Sequence, residues 1–122
     1  MTEGKYILWE IGGNVALVRL RYVSAFRFEE YEPLLNELNG VAGTAGVTVM
    51  VLNLETLEHF PSRMMGLLTA LSKTLGRKLL VCRLRPEPLR AFKLCRLDAL
   101  IPVFPGEDEA REAAKRNDRP TS

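Results

Sequence analysis

The stretch His59-Phe60-Pro61-Ser62-Arg63-Met64-Met65-Gly66 gathers most of what could do chemistry in this chain. It holds the only histidine, a hydroxyl directly behind a proline, and an arginine, just ahead of a run rich in Met and Leu. A nucleophile-and-base reading would pair His59 with Ser62, but the two are three residues apart, and nothing in the spacing supplies a third group to orient the base. A hydroxyl at the mouth of a helix suits a different chemistry. The first helical turn has amide groups without intrahelical partners and carries the positive end of the helix dipole. Proline is tolerated at the first helical position. A serine beside it can cap those amides, or it can accept a phosphate whose nearly two negative charges the helix end favours. Arg63 next door adds a charge-assisted contact for such a phosphate. Both readings of Ser62, cap and phosphoacceptor, stand on the residues alone.

Other chemistry is missing. No Gly-x-Gly-x-x-Gly follows a strand, and there is neither a phosphate-binding Gly-x4-Gly-Lys-Ser/Thr loop nor a Gly-x-Ser-x-Gly elbow. Cys82 and Cys95 make no Cys-x-x-Cys, and one histidine is too few for a Cys/His zinc site, so no metal and no cofactor is implied. Reduced, packed thiols in a cytoplasm are expected. Carboxylates fall on faces expected to be outward, away from a cleft that would tune them as acid or base. The chain is not expected to be an enzyme. No apolar run approaches the roughly 20 residues of a membrane helix, and the opening MTEGKYILWE does not read as a signal peptide.

A length of 122 residues with 47% hydrophobic and 26% charged residues suits one soluble domain. It is expected over residues 1–116, with a disordered tail at 117–122. Residues 5–11 and 15–22 flank Gly12-Gly13-Asn14 and predict a β-hairpin. Residues 29–39 predict a helix, ended by Gly40, Gly43 and Gly46. The apolar run at 47–54 predicts a strand buried on both faces. Met64, Met65, Leu67, Leu68, Leu71 and Leu75 predict the next helix, stopped at Gly76. A strand at 78–84 follows. A helix opened by Pro86-Glu87-Pro88 turns Leu89, Phe92, Leu94 and Cys95 inward, and a strand at 99–104 and a helix at 107–116 complete the chain. The order ββαβαβαβα makes an α/β fold, a mixed and mostly parallel sheet with helices packed on it and right-handed crossovers.

Charge is segregated although the net is only +2. Residues 28–62 contain no Lys or Arg but hold Glu29, Glu30, Glu32, Glu37, Glu55 and Glu58. Residues 77–96 carry seven bases against Glu87 alone. Such segments can steer an oppositely charged partner or form an ordinary solvated face. The bases are spread over a strand and a helix without interleaved aromatics beyond Phe92, which argues against nucleic acid.

The element order, with the stretches VMVLNLETLEHFPSRMMGLLTAL, GRKLLVCRLRPEPLRAFKLCRLDALIPVF and GEDEAREAA, resembles the STAS domain of bacterial anti-sigma factor antagonists. Asn53-Leu54-Glu55-Thr56-Leu57 falls on the family's strand-end element. Ser62 falls on the serine that a partner kinase phosphorylates in the antagonists. Pro61 stands at the family's Asp, Arg63 at its second Ser, Met64 at its first Gly and Gly66 at a later Gly. The Gly-x-Leu-Asp that usually follows the second strand is absent, and YVSAFRF stands there. The resemblance implies a cytoplasmic module that binds a protein such as an anti-sigma factor or a signalling kinase, with Ser62 as its phosphoacceptor. The expected contact residues are Phe26, Arg27, His59, Phe60, Arg63 and Met64. The alternative is a self-assembling scaffold subunit, its acid-rich and base-rich segments meeting between copies.

Overall fold

The computed structural model describes residues 1–21 and 27–117. Phe26, and residues 118–122 of the expected disordered tail, lie outside the described residues. Among the described residues six strands form one sheet in the order β1-β2-β3-β4-β5-β6. They are β1 Thr2–Glu3, β2 Ile7–Gly12, β3 Val15–Leu20, β4 Val49–Asn53, β5 Leu79–Cys82 and β6 Val103–Phe104. The helices are α1 Tyr31–Ala42, α2 Ser62–Leu75, α3 Pro86–Leu94, α4 Leu97–Leu100 and α5 Glu107–Asn117. β1, β2 and β3 pair antiparallel, and the steps from β3 to β6 are parallel. The α/β class and the mixed, mostly parallel sheet are as the pattern predicts.

Strand alternation divides the core in two. Ala16, Val18, Leu20, Met50, Leu52, Leu79 and Val81 face the buried leucines of α1 and α2. Leu17, Val49, Val51, Leu80 and Cys82 face Ala110, Ala113 and Ala114 of α5. Both faces of β4 and β5 are therefore covered, which is why those strands read as continuous apolar runs. The β2–β3 hairpin closes on Gly13 at φ 61°, left-handed space that glycine enters freely.

Five local expectations are corrected. A two-residue β1 precedes the hairpin. α1 runs through Gly40 to Ala42, since the 4%-exposed Val41 adds a further core contact that holds the last turn on the sheet. β5 stops at Cys82 because Arg83 adopts φ 57° and turns the chain out of the extended conformation, although its N–H still donates to the Phe104 carbonyl (3.3 Å). Arg96 at φ 61° ends α3, and the start of the expected last strand becomes α4 instead. In α3 the inward pair is Pro88 and Phe92, four apart. Leu94 and Cys95 are exposed: Leu94, two residues beyond Phe92, lies on another face of the helix, and Cys95 falls past the last helical residue, at the C-cap.

Candidate functional site

Parallel strands deliver their C-terminal ends to one end of the sheet, and the loops there lead into α1, α2, α3 and α5. The β4–α2 loop is anchored by Leu54 and Leu57, both buried. Leu57 N–H donates to the Leu54 carbonyl (3.0 Å), closing a turn. The Thr56 hydroxyl donates to the Leu20 carbonyl (3.2 Å).

Ser62 is the first residue of α2 and is exposed. The capping position belongs to Pro61, at φ −64° and ψ 152°, whose carbonyl accepts the Met64 and Met65 amides at 3.0 and 3.2 Å. Pro61 thus lies one place earlier than expected, and Ser62 is not the cap. α2 has no acid in its first turn, whereas α1 has Glu32, α3 has Glu87 and α5 has Glu107, Asp108 and Glu109.

The other expected contact residues separate. Arg63 is exposed, and its charge opposes the upward shift that burial gives the Tyr31 hydroxyl at the start of α1. Phe60 is half-buried, its ring edge-on to Phe92 with centroids 5.8 Å apart. His59 projects into solvent, with Nδ1 3.1 Å from Glu87 Oε1 at the first turn of α3. Arg27 is exposed, and its N–H donates to Glu30 Oε1 (2.8 Å) while its carbonyl accepts the Glu30 amide (2.9 Å). Met64 is 1% exposed and belongs to the core. It directly supports the start of α2 from below, so a partner cannot touch it on the folded surface.

A second set of residues escaped sequence reasoning. Glu107 accepts Arg19 Nε at Oε2 (2.7 Å) and Arg19 Nη2 at Oε1 (2.8 Å). The same Oε2 accepts Asn53 Nδ2 (2.7 Å). The Arg19 bond, helped by Asn53 and opposed by burial, holds the Glu107 carboxyl down at about 2. Asn53 Oδ1 in turn accepts the Glu55 amide (2.9 Å). The Glu55 carboxylate takes Arg83 Nη1 (2.7 Å), and its carbonyl takes Arg85 Nε (2.7 Å). The one available signal was Asn53 itself, an amide in the middle of an apolar run. A buried amide needs partners.

Glu55–Arg83 joins an acid of the acid-rich segment to a base of the base-rich one inside one molecule, so part of that opposed charge is neutralised without a second copy. Cys82 is fully buried, and burial pushes its thiol up to about 12, whereas Cys95 is exposed. A thiol reagent is therefore expected to label one cysteine per native chain, Cys95, and two after unfolding; rapid native labelling of both would contradict the burial of Cys82. Among the described residues no three His, Cys, Asp or Glu side chains gather to hold a metal, and no helix is long and apolar enough to cross a membrane.

A family model described as the STAS domain matches residues 7–110. The chain belongs to the STAS family. Solved structures share the fold of this STAS domain at low identity. An anti-sigma factor antagonist from Mycobacterium paratuberculosis aligns with TM-score 0.76 and 22% identity, over 89% of this chain and 92% of that one. A putative anti-sigma factor antagonist from Thermotoga maritima aligns with TM-score 0.79 and 16% identity, over 90% and 95%. The Bacillus cell fate determinant SpoIIAA in its phosphorylated form aligns with TM-score 0.62 and 18% identity, over 88% and 97%. No curated protein matches this chain by sequence.

Proposed function

We propose that this STAS domain is a non-catalytic, regulatory protein-interaction module of the anti-sigma factor antagonist type, acting in the cytoplasm and switched by phosphate on Ser62. Its partner is a protein such as an anti-sigma factor or a signalling kinase. The contact surface is the end of the sheet where Arg27, His59, Phe60, Ser62 and Arg63 emerge. One observation carries this reading: the Ser62 hydroxyl is exposed at the first position of a 14-residue helix that has no acid in its first turn. The antagonist names and the phosphorylated state of the structural relatives support it.

The physics of the switch is local. A phosphate at Ser62 brings nearly two negative charges to the positive end of α2, worth about 0.3–1 kcal/mol at an exposed position. The fold gains little, so the effect falls on whatever docks there. A partner surface shaped for a neutral hydroxyl would meet a doubly charged group and its hydration shell. Pro61 stands at the family's Asp, so a kinase acting here must accept a proline before its target serine.

The test combines capture of the partner from host cells, intact-mass analysis of the recovered chain, and titration of three forms. Ser62→Asp is expected to weaken partner binding tenfold or more. Ser62→Ala is expected to bind within about threefold of the unmodified protein, since an exposed hydroxyl contributes little. Equal affinity for all three forms would reject the switch.

A further inference from the structure

We infer that Glu107 is a positioning residue for the Ser62 surface, acting through Asn53 and Glu55 to set the loop that delivers Ser62. The inference rests on the reading of that surface as the partner site, but its geometry is independent of it. Glu107 opens α5, on the face of the sheet opposite α2. Its Oε2 is 2.7 Å from Asn53 Nδ2. Asn53 is 5% exposed, so the sheet end offers its amide little water as a substitute partner.

A carboxamide is planar, with its nitrogen and oxygen on opposite sides, while its terminal torsion is otherwise broad. Fixing the NH2 on Glu107 therefore aims Oδ1 at the chain, where it accepts the Glu55 amide at 2.9 Å. Arg19 supplies the counter-clamp, gripping both Glu107 oxygens and keeping the carboxylate in register with β3. Glu55 is then held at its amide by Asn53, at its carboxylate by Arg83 and at its carbonyl by Arg85. From Glu55 the loop has six residues to run before Ser62, and its far part is tied at His59 and Phe60 to α3.

The two halves of this chain of contacts differ. The inner half, Glu107 and Asn53, is shielded, with the Glu107 side chain 16% exposed. The outer half is open, with Arg83 and Glu55 at 52% and 55%. The inner half therefore sets the loop and the outer half can yield to a partner. The N-terminus of α5 thus bears on the partner surface without touching it.

Amide hydrogen exchange on the full chain, without partner, tests this directly. In Glu107→Gln the Glu55 amide is expected to exchange about tenfold faster, while the mid-helix amides of Leu68 and Leu71 keep their wild-type rates. Arg111→Ala removes the Arg111–Glu10 pair of α5 (3.2 Å) without touching Asn53. It is expected to leave the Glu55 amide unchanged, which separates positioning from a general loosening of α5. Should Glu107→Gln fail to fold, Glu107→Asp, with its shorter reach, serves in the same comparison. An unchanged Glu55 rate in the folded Glu107 variant, or equal acceleration in Arg111→Ala, overturns the inference. Partner affinity is measured separately and is expected to fall several-fold in Glu107→Gln. Faster exchange with unaltered affinity would reject the partner-site reading and leave the positioning role standing.

Discussion

Phe92→Ala is expected to cost about 3–5 kcal/mol of folding stability, the range for truncating a fully buried phenylalanine. Phe92 is 0% exposed, on the inward stripe of α3, and it is the surface against which Phe60 packs at 5.8 Å. Truncation removes the apolar contact area, leaves a cavity that a helix tethered at both ends can close only partly, and strips Phe60 of its support. Leu94→Ala, two residues along the same helix, is expected to change stability by less than about 0.5 kcal/mol, since Leu94 is 78% exposed. Urea unfolding of the two variants measures both, provided the slope stays at its wild-type value. Comparable losses in the two would contradict the orientation of α3. The loss at Phe92 also reaches the site, because the Phe60 segment leads into Ser62, and partner binding should weaken with stability in this variant.

That pair of residues marks how far the amino-acid pattern could be followed. Buried strands are legible because covering both faces leaves no polar alternation to obscure them, so β4 and β5 were visible as runs of Val, Leu and Met. Helix existence is legible from recurrence at three and four. Helix orientation in α3 was not, because Leu89, Phe92, Leu94 and Cys95 offer several apolar stripes, and only packing against the sheet chooses Pro88 and Phe92. Boundaries failed where single residues take left-handed backbone. Arg83 and Arg96 do so without being glycine, and no composition rule flags an arginine at positive φ.

The site was legible in part for a related reason. Pro61-Ser62 announces a helix start, and its placement is off by one position because proline can occupy either side of the boundary. The polar network was invisible, since Arg19 and Glu107 are 88 residues apart and meet only after the sheet has formed. Met64 was misplaced among the contact residues because a methionine beside an exposed serine reads equally as surface or as core. Helical geometry decides it, as the residue two beyond Ser62 turns under the helix.

Acid should expose Glu107 as a stability determinant. Its carboxyl is held at about 2, against an ordinary 4.5, chiefly by the Arg19 hydrogen bonds. A depressed carboxyl contributes stability that is fully present above the unfolded value and is lost as pH falls through the folded one, so the window runs from about pH 4.5 down to about pH 2. Over that window the contribution lost is on the order of 2 kcal/mol, less than the full shift would give because the pair is partly open to water. Other carboxylates titrate in the same range, but the difference between wild type and Glu107→Gln cancels them. At pH 7 the variant is expected to be the less stable by urea unfolding. The gap should hold down to about pH 5 and then narrow steadily toward pH 2.5, because only the wild type has this proton to gain. A gap that stays constant from pH 5 to pH 2.5 would mean that the Arg19–Glu107–Asn53 contact does not hold the carboxylate in its charged form, and the clamp at the end of the sheet would have to be abandoned.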